Sequence, residues 1–312
     1  MSAWGAIEKR GDPVTAWEFR ERYLVYGMKY SEFYCPFCSI PLVPYLIYSD
    51  KEPTKSPHFS ARHEEHLHNC DGEPLETDLP ERKEPKNHYV PRRMSFPEAL
   101  IDRPPPRKSA SDDKKNAEAA HSPSTAEDVA ARRKRAGSLG AATPKAYLTR
   151  SIAEARNIEV SKIYQRADEE KWPDQKRREE LKATLSNMPM RLQDATNYDD
   201  AFRSPSFINW KQPRIYYGSG TASQESDTVV IRSKRDGKLN GEFARFEVAI
   251  PPSAVDSASP KSHEVLQELL LSLVTDQQEF KWYAYGTPVV RSGVLVLPLR
   301  NLDHLYIKKA YR

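Results

Sequence analysis

The clearest hydrophobic pattern lies toward the C-terminal end. After Pro213 the apolar positions fall in short alternating runs, RIYYGSGTA, DTVVIRSKR and EFARFEVAIPP, separated by turn-forming residues. Period-two alternation of β-branched and aromatic residues predicts strands. SHEVLQELLLSLVTDQ then repeats its leucines at helical spacing, and EFKWYAYGTPVV and GVLVLPLRNLDHLYIKK return to strands. Three strands, one amphipathic helix and two or three further strands is the element order of an OB-fold, a Greek-key barrel that binds oligonucleotides. Residues 205–312 are therefore expected to form an OB-like β-barrel domain.

Residues 144–204 read as a helical segment. TPKAYLTRSIAEARN puts Tyr147, Ile152 and Ala155 near one face, with Pro144 as the helix opening. EVSKIYQRADEEKW predicts a second helix that stops before Pro173, and DQKRREELKATLSN a third with Asp174 at its cap. Residues 79–143 have almost no aliphatic period and are rich in Pro, Lys, Arg, Asp, Ser and Ala, as in RPPPRKSASDDKKN. Such a stretch buries too little to offset its ordering entropy, which predicts a disordered linker. Within it, NHYVPRRMSFPEALI is a short apolar interruption, either docked on a neighbour or isolated, and ARRKRA at 131–136 reads as a solvated charge run. Residues 1–78 alternate aromatic residues with turn formers, among them Trp17, Phe19, Tyr23, Tyr30 and LVPYLIYSD. Short strands and loops of this kind suit a small β-rich unit held by a metal staple. The fold class expected is α+β and multidomain.

The candidate chemistry sits in that first unit. YCPFC carries Cys35 and Cys38 two residues apart, the spacing of a zinc knuckle, and SPHFSARHEEHLHNC supplies Cys70 with four histidines. Zinc takes four tetrahedral N and S ligands at structural sites, so three cysteines need one histidine. His66 stands four residues before Cys70, where one helical turn brings both to the same face; His58, beside Phe59, is the alternative fourth ligand, while His63 and His68 read as solvated or outer residues. All three cysteines and half of the eight histidines fall in this short stretch, a concentration that favours a Zn2+ site over chance core thiols. Four protein ligands would close the site, which argues for a folding role over hydrolysis at the metal.

CPFC, an apolar strand, HFS and then a later His and Cys resemble the N-terminal zinc module of the competence-protein (CoiA-like) bacterial family. The resemblance covers about 60 residues and implies a bacterial, cytoplasmic protein with a DNA-related role. It does not extend to nuclease activity, because no Asp followed by Glu-x-Lys motif stands downstream.

Composition adds limits. The chain has 312 residues, 38% hydrophobic and 29% charged, with 25 prolines, too polar for one continuous core. No apolar run reaches about 18 residues and the first residues lack a secretory pattern, so a cytoplasmic protein without a membrane span is expected. A formal charge of +4 and a pI near 8.7 permit a polyanionic partner without arguing for one. The strands of the last domain interleave Tyr216, Tyr217, Phe243, Phe246, Trp282, Tyr283 and Tyr285 with cations. Arg214, Tyr217, Arg232, Lys234, Arg245, Lys281 and Trp282 are the candidate contacts to single-stranded DNA or RNA, rings stacking on bases and cations meeting phosphates. Strand alternation sends half of these rings inward, and the pattern leaves open whether Trp282 or Tyr283 faces out. Asp227, Glu242 and Glu247 have no His or Lys partner at a mechanistic spacing, and Ser219 in GSGT lies in neither GxSxG nor GKS/T. The expected function is a zinc-containing, non-enzymatic nucleic-acid-binding protein. An adaptor or accessory subunit that binds another protein, and a nuclease-related enzyme with an unrecognised site, are the other two readings.

Overall fold

The computed structural model describes residues 2–61, 64–67, 70, 72, 96–101, 125–138, 144–276 and 278–309. Two compact units divide the chain: the first is Met1–Tyr23, Met28–Phe96 and Arg103–Lys145, the second Leu24–Gly27, Pro97–Asp102 and Ala146–Arg312.

In the first unit β1 (Trp4–Gly5) pairs antiparallel with β2 (Val14–Thr15), and helix α1 (Ala16–Tyr26) follows directly. The Thr15 hydroxyl accepts the Glu18 N–H at 3.1 Å, which satisfies one of the free donors at the helix start. Strands β3 (Phe33–Tyr34), β4 (Pro41–Tyr45) and β5 (His58–Ser60) form an antiparallel sheet in that order. Phe19 from α1 meets Phe33 and Phe59 edge-on, with ring centres 5.0 and 5.8 Å away. The buried Arg20 guanidinium donates to the carbonyls of Leu46, Ser49 and Lys51 at 3.0, 2.6 and 3.1 Å, fixing the loop after β4. Trp4, Leu42, Ile47 and all three cysteines complete this core.

Helix α2 (Ala126–Ser138) belongs to the same unit and buries Val129 in that core. It falls inside the stretch expected to be a linker, most of which lies outside the described residues. For this part the expectation is corrected. Ala and Arg are good helix formers, and Thr125 and Asp128 exchange reciprocal side-chain to backbone bonds of 3.2 and 3.1 Å at the helix start. Val129 is its buried apolar contact with the core of that unit.

The second unit begins with β6 (Ala99–Leu100) and β7 (Lys145–Ala146), which join β8 (Pro189–Leu192) and β9 (Ala195–Asn197) in a sheet ordered β7-β6-β8-β9. Between them run α3 (Thr149–Glu169) and α4 (Asp174–Asn187). Here the two helices expected before Pro173 are one continuous helix that starts at Thr149, since no Gly or Pro interrupts it. The N-cap of α4 is Pro173, and Asp174 is its first residue. Helix α5 (Tyr198–Ala201) and β10 (Phe202–Arg203) lead into the large sheet.

That sheet contains β11 (Arg214–Glu225), β12 (Thr228–Ser233), β15 (Phe246–Ile250), β16 (Phe280–Gly286), β17 (Val289–Arg291), β18 (Val294–Pro298) and β19 (Leu305–Lys309). A separate hairpin, β13 (Gly237–Leu239) with β14 (Glu242–Ala244), lies between β12 and β15 in sequence, and α6 (Pro252–Asp256) and α7 (Pro260–Asp276) lie between β15 and β16. The order is β17-β18-β15-β12-β11-β16-β19, with β10 parallel beside β11 and β18 parallel to β15. Gly220 permits the close pairing of β11 and β12, because a Cβ there would lie 2.2 Å from the Arg232 carbonyl oxygen.

No pairing joins β17 to β19 among the described residues, so the closed barrel expected from the element order is not formed. Element order follows from local pattern. Pairing follows from contacts distant in sequence, and β17 and β19 occupy the two ends.

One face of the sheet is covered by α7, and part of the other by α3. On one, Ile231, Phe246, Val248, Phe280, Trp282, Leu295 and Leu297 pack with Leu266, Leu270 and Leu273, one stripe of α7. On the other, Tyr217, Tyr283 and Tyr306 stand in cross-strand register with stacked rings at 6.2 and 5.8 Å. Helix α3 lies over them: Arg156 sits 4.5 Å from the Tyr217 ring centre, and the Tyr283 hydroxyl donates to Asn157 at 2.8 Å. No helix of the described residues is long and apolar enough to cross a membrane.

Candidate metal centre

The β3–β4 hairpin sets the first half of the site. Phe33 pairs with Leu42 and Tyr34 with Pro41, and the next rung is the Cys35 N–H to the Ile40 carbonyl at 2.8 Å. The intervening CPFC turn closes with the Ser39 N–H on the Cys35 carbonyl at 2.8 Å, with Ser39 in the left-handed region at φ 65°. This geometry carries both thiols to the tip of the hairpin. The second half is a turn in which the Cys70 N–H reaches the Leu67 carbonyl at 2.8 Å. It is tied to the sheet through Ser2, whose hydroxyl donates to the Gly72 carbonyl at 2.7 Å while its backbone exchanges two 2.8 Å bonds with Phe59. Gly72 has φ 73°, and a Cβ there would press on Ser2 and on the His66 ring.

The two halves bring Cys35, Cys38, His66 and Cys70 together, with one donor atom from each and all four within 4.8 Å of one another. Cys35 Sγ to Cys70 Sγ is 3.7 Å, far from a disulfide, and the His66 Nδ1 lies 3.4 Å from Cys38 Sγ and 3.6 Å from Cys70 Sγ. The three thiols are buried and the imidazole is half-buried. Crowding couples their protons: contacts with Cys35 and Cys70 pull the Cys38 thiol well down, while contacts with Cys38 and Cys70, with burial, push Cys35 far up. Cys38 and then Cys70 raise His66 to about 9. A cation would relieve this crowding, and the four residues form a group that could hold a metal ion.

His58 stands elsewhere. Its ring stacks on Tyr45 at 5.2 Å and its Nδ1 lies 3.0 Å from the Ser56 carbonyl, so it is not in the group. His63 and His68 lie outside the described residues. What the sequence pattern missed is Arg132 on α2, whose guanidinium donates to the Ser39 hydroxyl at 3.5 Å, beside the cysteine turn. Cys35 and Cys38 attract its charge, against the larger opposing effects of burial and Arg10. Arg132 is thus half-buried, and the charge run expected to be solvated is partly docked. Helix-forming residues in ARRKRA, with Val129 three positions upstream of Arg132, were the available signal.

The candidate nucleic-acid contacts are not gathered on one surface. Trp282 is 0% exposed and stacked on Phe246 at 5.9 Å, which removes it as an exposed stacking ring. Tyr283 on the opposite face is only 6% exposed, because α3 covers that side. Tyr217 is half-buried under Arg156. Arg214 is buried and paired with Asp194 at 2.6 Å, and it holds that carboxyl below its usual range. Arg232 pairs with Glu225 and, at 3.7 Å, with Glu247; Lys234 pairs with Glu279 at 3.3 Å. Arg245 and Lys281 are exposed. No family model, no curated protein and no solved structure matches the chain.

Proposed function

We propose that this chain is a zinc-stabilised, non-enzymatic nucleic-acid-binding protein of the competence-protein-like kind, with a zinc module in its first unit and an opened OB-like sheet in its second. The observation that carries the zinc part is the set of donor separations. A tetrahedral ion with Zn–S of about 2.3 Å and Zn–N of about 2.0–2.1 Å has S–S edges of about 3.8 Å and S–N edges of about 3.6 Å. Three of the six separations match these edges, 3.7 Å for Cys35 to Cys70 and 3.4 and 3.6 Å from the His66 nitrogen to Cys38 and Cys70, and all four donors lie within 4.8 Å of one another. Cys35, Cys38, Cys70 and the Nδ1 of His66 would hold the ion, which supplies a cross-link between the hairpin and the 66–72 turn. Three thiolates, a neutral imidazole and a divalent ion sum to one negative charge, which suits the nearby Arg132 guanidinium.

The nucleic-acid part is supported by strand order. Leaving aside the two end strands β17 and β19, the path β18-β15-β12-β11-β16 runs fifth, third, second, first, fourth, with α7 between the third and fourth strands, which fits an OB-fold opened at one seam. Elemental analysis of protein purified without chelator tests the first part, with about one zinc per chain expected and none overturning it. A salt series with labelled single- and double-stranded oligonucleotides tests the second. Phosphate contacts give an affinity that falls steeply with salt. No binding at low salt returns the chain to the adaptor reading.

A further inference from the structure

Three large aromatic residues are exposed in two touching segments of the second unit. Phe207 is 72% exposed, Trp210 46% and Phe243 75%. The first two belong to the loop between β10 and β11, the third to the β13–β14 hairpin. These segments meet at two points. The Ser206 hydroxyl donates to the Asp236 carbonyl at 3.4 Å, and a Cβ at Gly237 would lie 3.0 Å from the Pro205 carbonyl oxygen and 3.2 Å from Ile208. Ile208 and Leu239 turn inward onto the core of the sheet, so the loop and the hairpin are anchored while their rings remain outside.

The cations beside these rings differ from those on the strands. Lys211, Arg235, Lys238 and Arg245 are all exposed, and none forms an ion pair with a described residue, whereas Arg214, Arg232 and Lys234 are all paired. Only two carboxylates, Asp236 and Glu242, stand in the same stretches. Lys238 lies opposite Phe243 in the hairpin, with its Nζ 5.8 Å from the ring centre. Exposed rings beside cations without ion pairs to described residues complement a flexible polyanion with unpaired bases: bases stack on the rings and phosphates meet the cations.

We infer that Phe207, Trp210 and Phe243, with Lys211, Arg235, Lys238 and Arg245, form a docking surface for single-stranded DNA. This rests on the nucleic-acid reading above and moves the contact from the strands to the loop and hairpin. Recognition by ring face and cation asks nothing of a 2′-hydroxyl, so DNA suffices.

The test uses the full zinc-loaded chain and fluorescence anisotropy with labelled oligo(dT), oligo(U) of equal length and duplex DNA. Replacing Phe207, Trp210 or Phe243 with Ala weakens oligo(dT) binding roughly 5- to 150-fold with the salt slope unchanged. Arg235→Ala or Lys238→Ala lowers that slope by about one. Arg232→Ala changes neither. Trp210→Phe keeps the affinity but removes Trp210's share of the quenching of tryptophan emission by oligo(dT). Unchanged metal content and circular dichroism verify the fold of each variant. If the parent protein binds oligo(dT) and the three ring variants bind equally well, this surface is wrong while the nucleic-acid reading stands. Tighter binding to oligo(U) or to duplex DNA overturns the assignment to single-stranded DNA. If no oligonucleotide binds at low salt, both fail, and the exposed rings are left to a protein partner.

Discussion

The first unit closes its core around three thiols and an imidazole, whereas the second closes on leucines, a tryptophan and stacked tyrosines. The difference follows from inventory. The first has strands of two to five residues and one short helix beside the docked α2, and its three cysteines lie in the same core as Trp4, Phe19, Phe33, Phe37 and Phe59. Small units of this kind cannot offset chain entropy by apolar burial alone. The second has an eight-stranded sheet with α7 packed on one face and α3 on part of the other. One unit is therefore expected to depend on metal and the other on packing.

Removing the metal breaks this comparison most severely. Cys38→Ser, or a strong chelator, is expected to unfold the first unit while the second keeps its own unfolding transition. Structural zinc contributes about 10–16 kcal/mol of binding free energy, as large as the whole stability of a typical domain at about 5–15 kcal/mol. Metal content read with near-ultraviolet circular dichroism checks it; a Cys38→Ser protein that retains stoichiometric metal would contradict the assignment. The pH dependence has a definite sign. Without metal His66 is raised to about 9, so below that pH the ion must displace a proton from the imidazole as well as from thiols. Affinity is expected to fall with falling pH, and a metal-indicator titration at several pH values measures it.

Trp282→Ala tests the other side. Removing a fully buried indole costs about 3–5 kcal/mol, seen as a lower denaturation midpoint of the second unit with bound metal unchanged. Loss of metal in this variant would mean that the two units share one cooperative core.

A smaller effect sharpens the boundary of the first unit. Val129→Ala removes two buried methyl groups at about 0.8 kcal/mol each, enough to loosen α2. Faster tryptic cleavage at Arg132 to Arg135 is the readout, and an unchanged rate would show that Val129 does not hold the helix.

Arg232→Ala sets the floor. Its ion pairs with Glu225 and Glu247 are solvent-screened and should contribute about 0.2–1 kcal/mol. A larger loss in thermal denaturation would mean that surface charge, and not the apolar core, supports the sheet.

Much of this was legible in the residues themselves. The three cysteines and the nearby histidines as one candidate group were, because thiols two residues apart and histidines shortly before a third cysteine state their chemistry locally. The run of strands around α7 was as well, since period-two alternation and leucines at helical spacing need no knowledge of neighbours. His66 over His58 was decided by the turn that Ser2 and Gly72 hold against the hairpin, a contact between residues 70 positions apart. The burial of both Trp282 and Tyr283 was decided by α7 on one face and α3 on the other, where alternation allowed one ring to face solvent. The exposed rings Phe207 and Trp210 sat in a proline-bounded stretch with no period to report them. Sequence pattern records what a residue prefers and with which close neighbours it repeats; which faces are covered, which edges pair and which charges are neutralised depend on segments that meet only when the chain has folded.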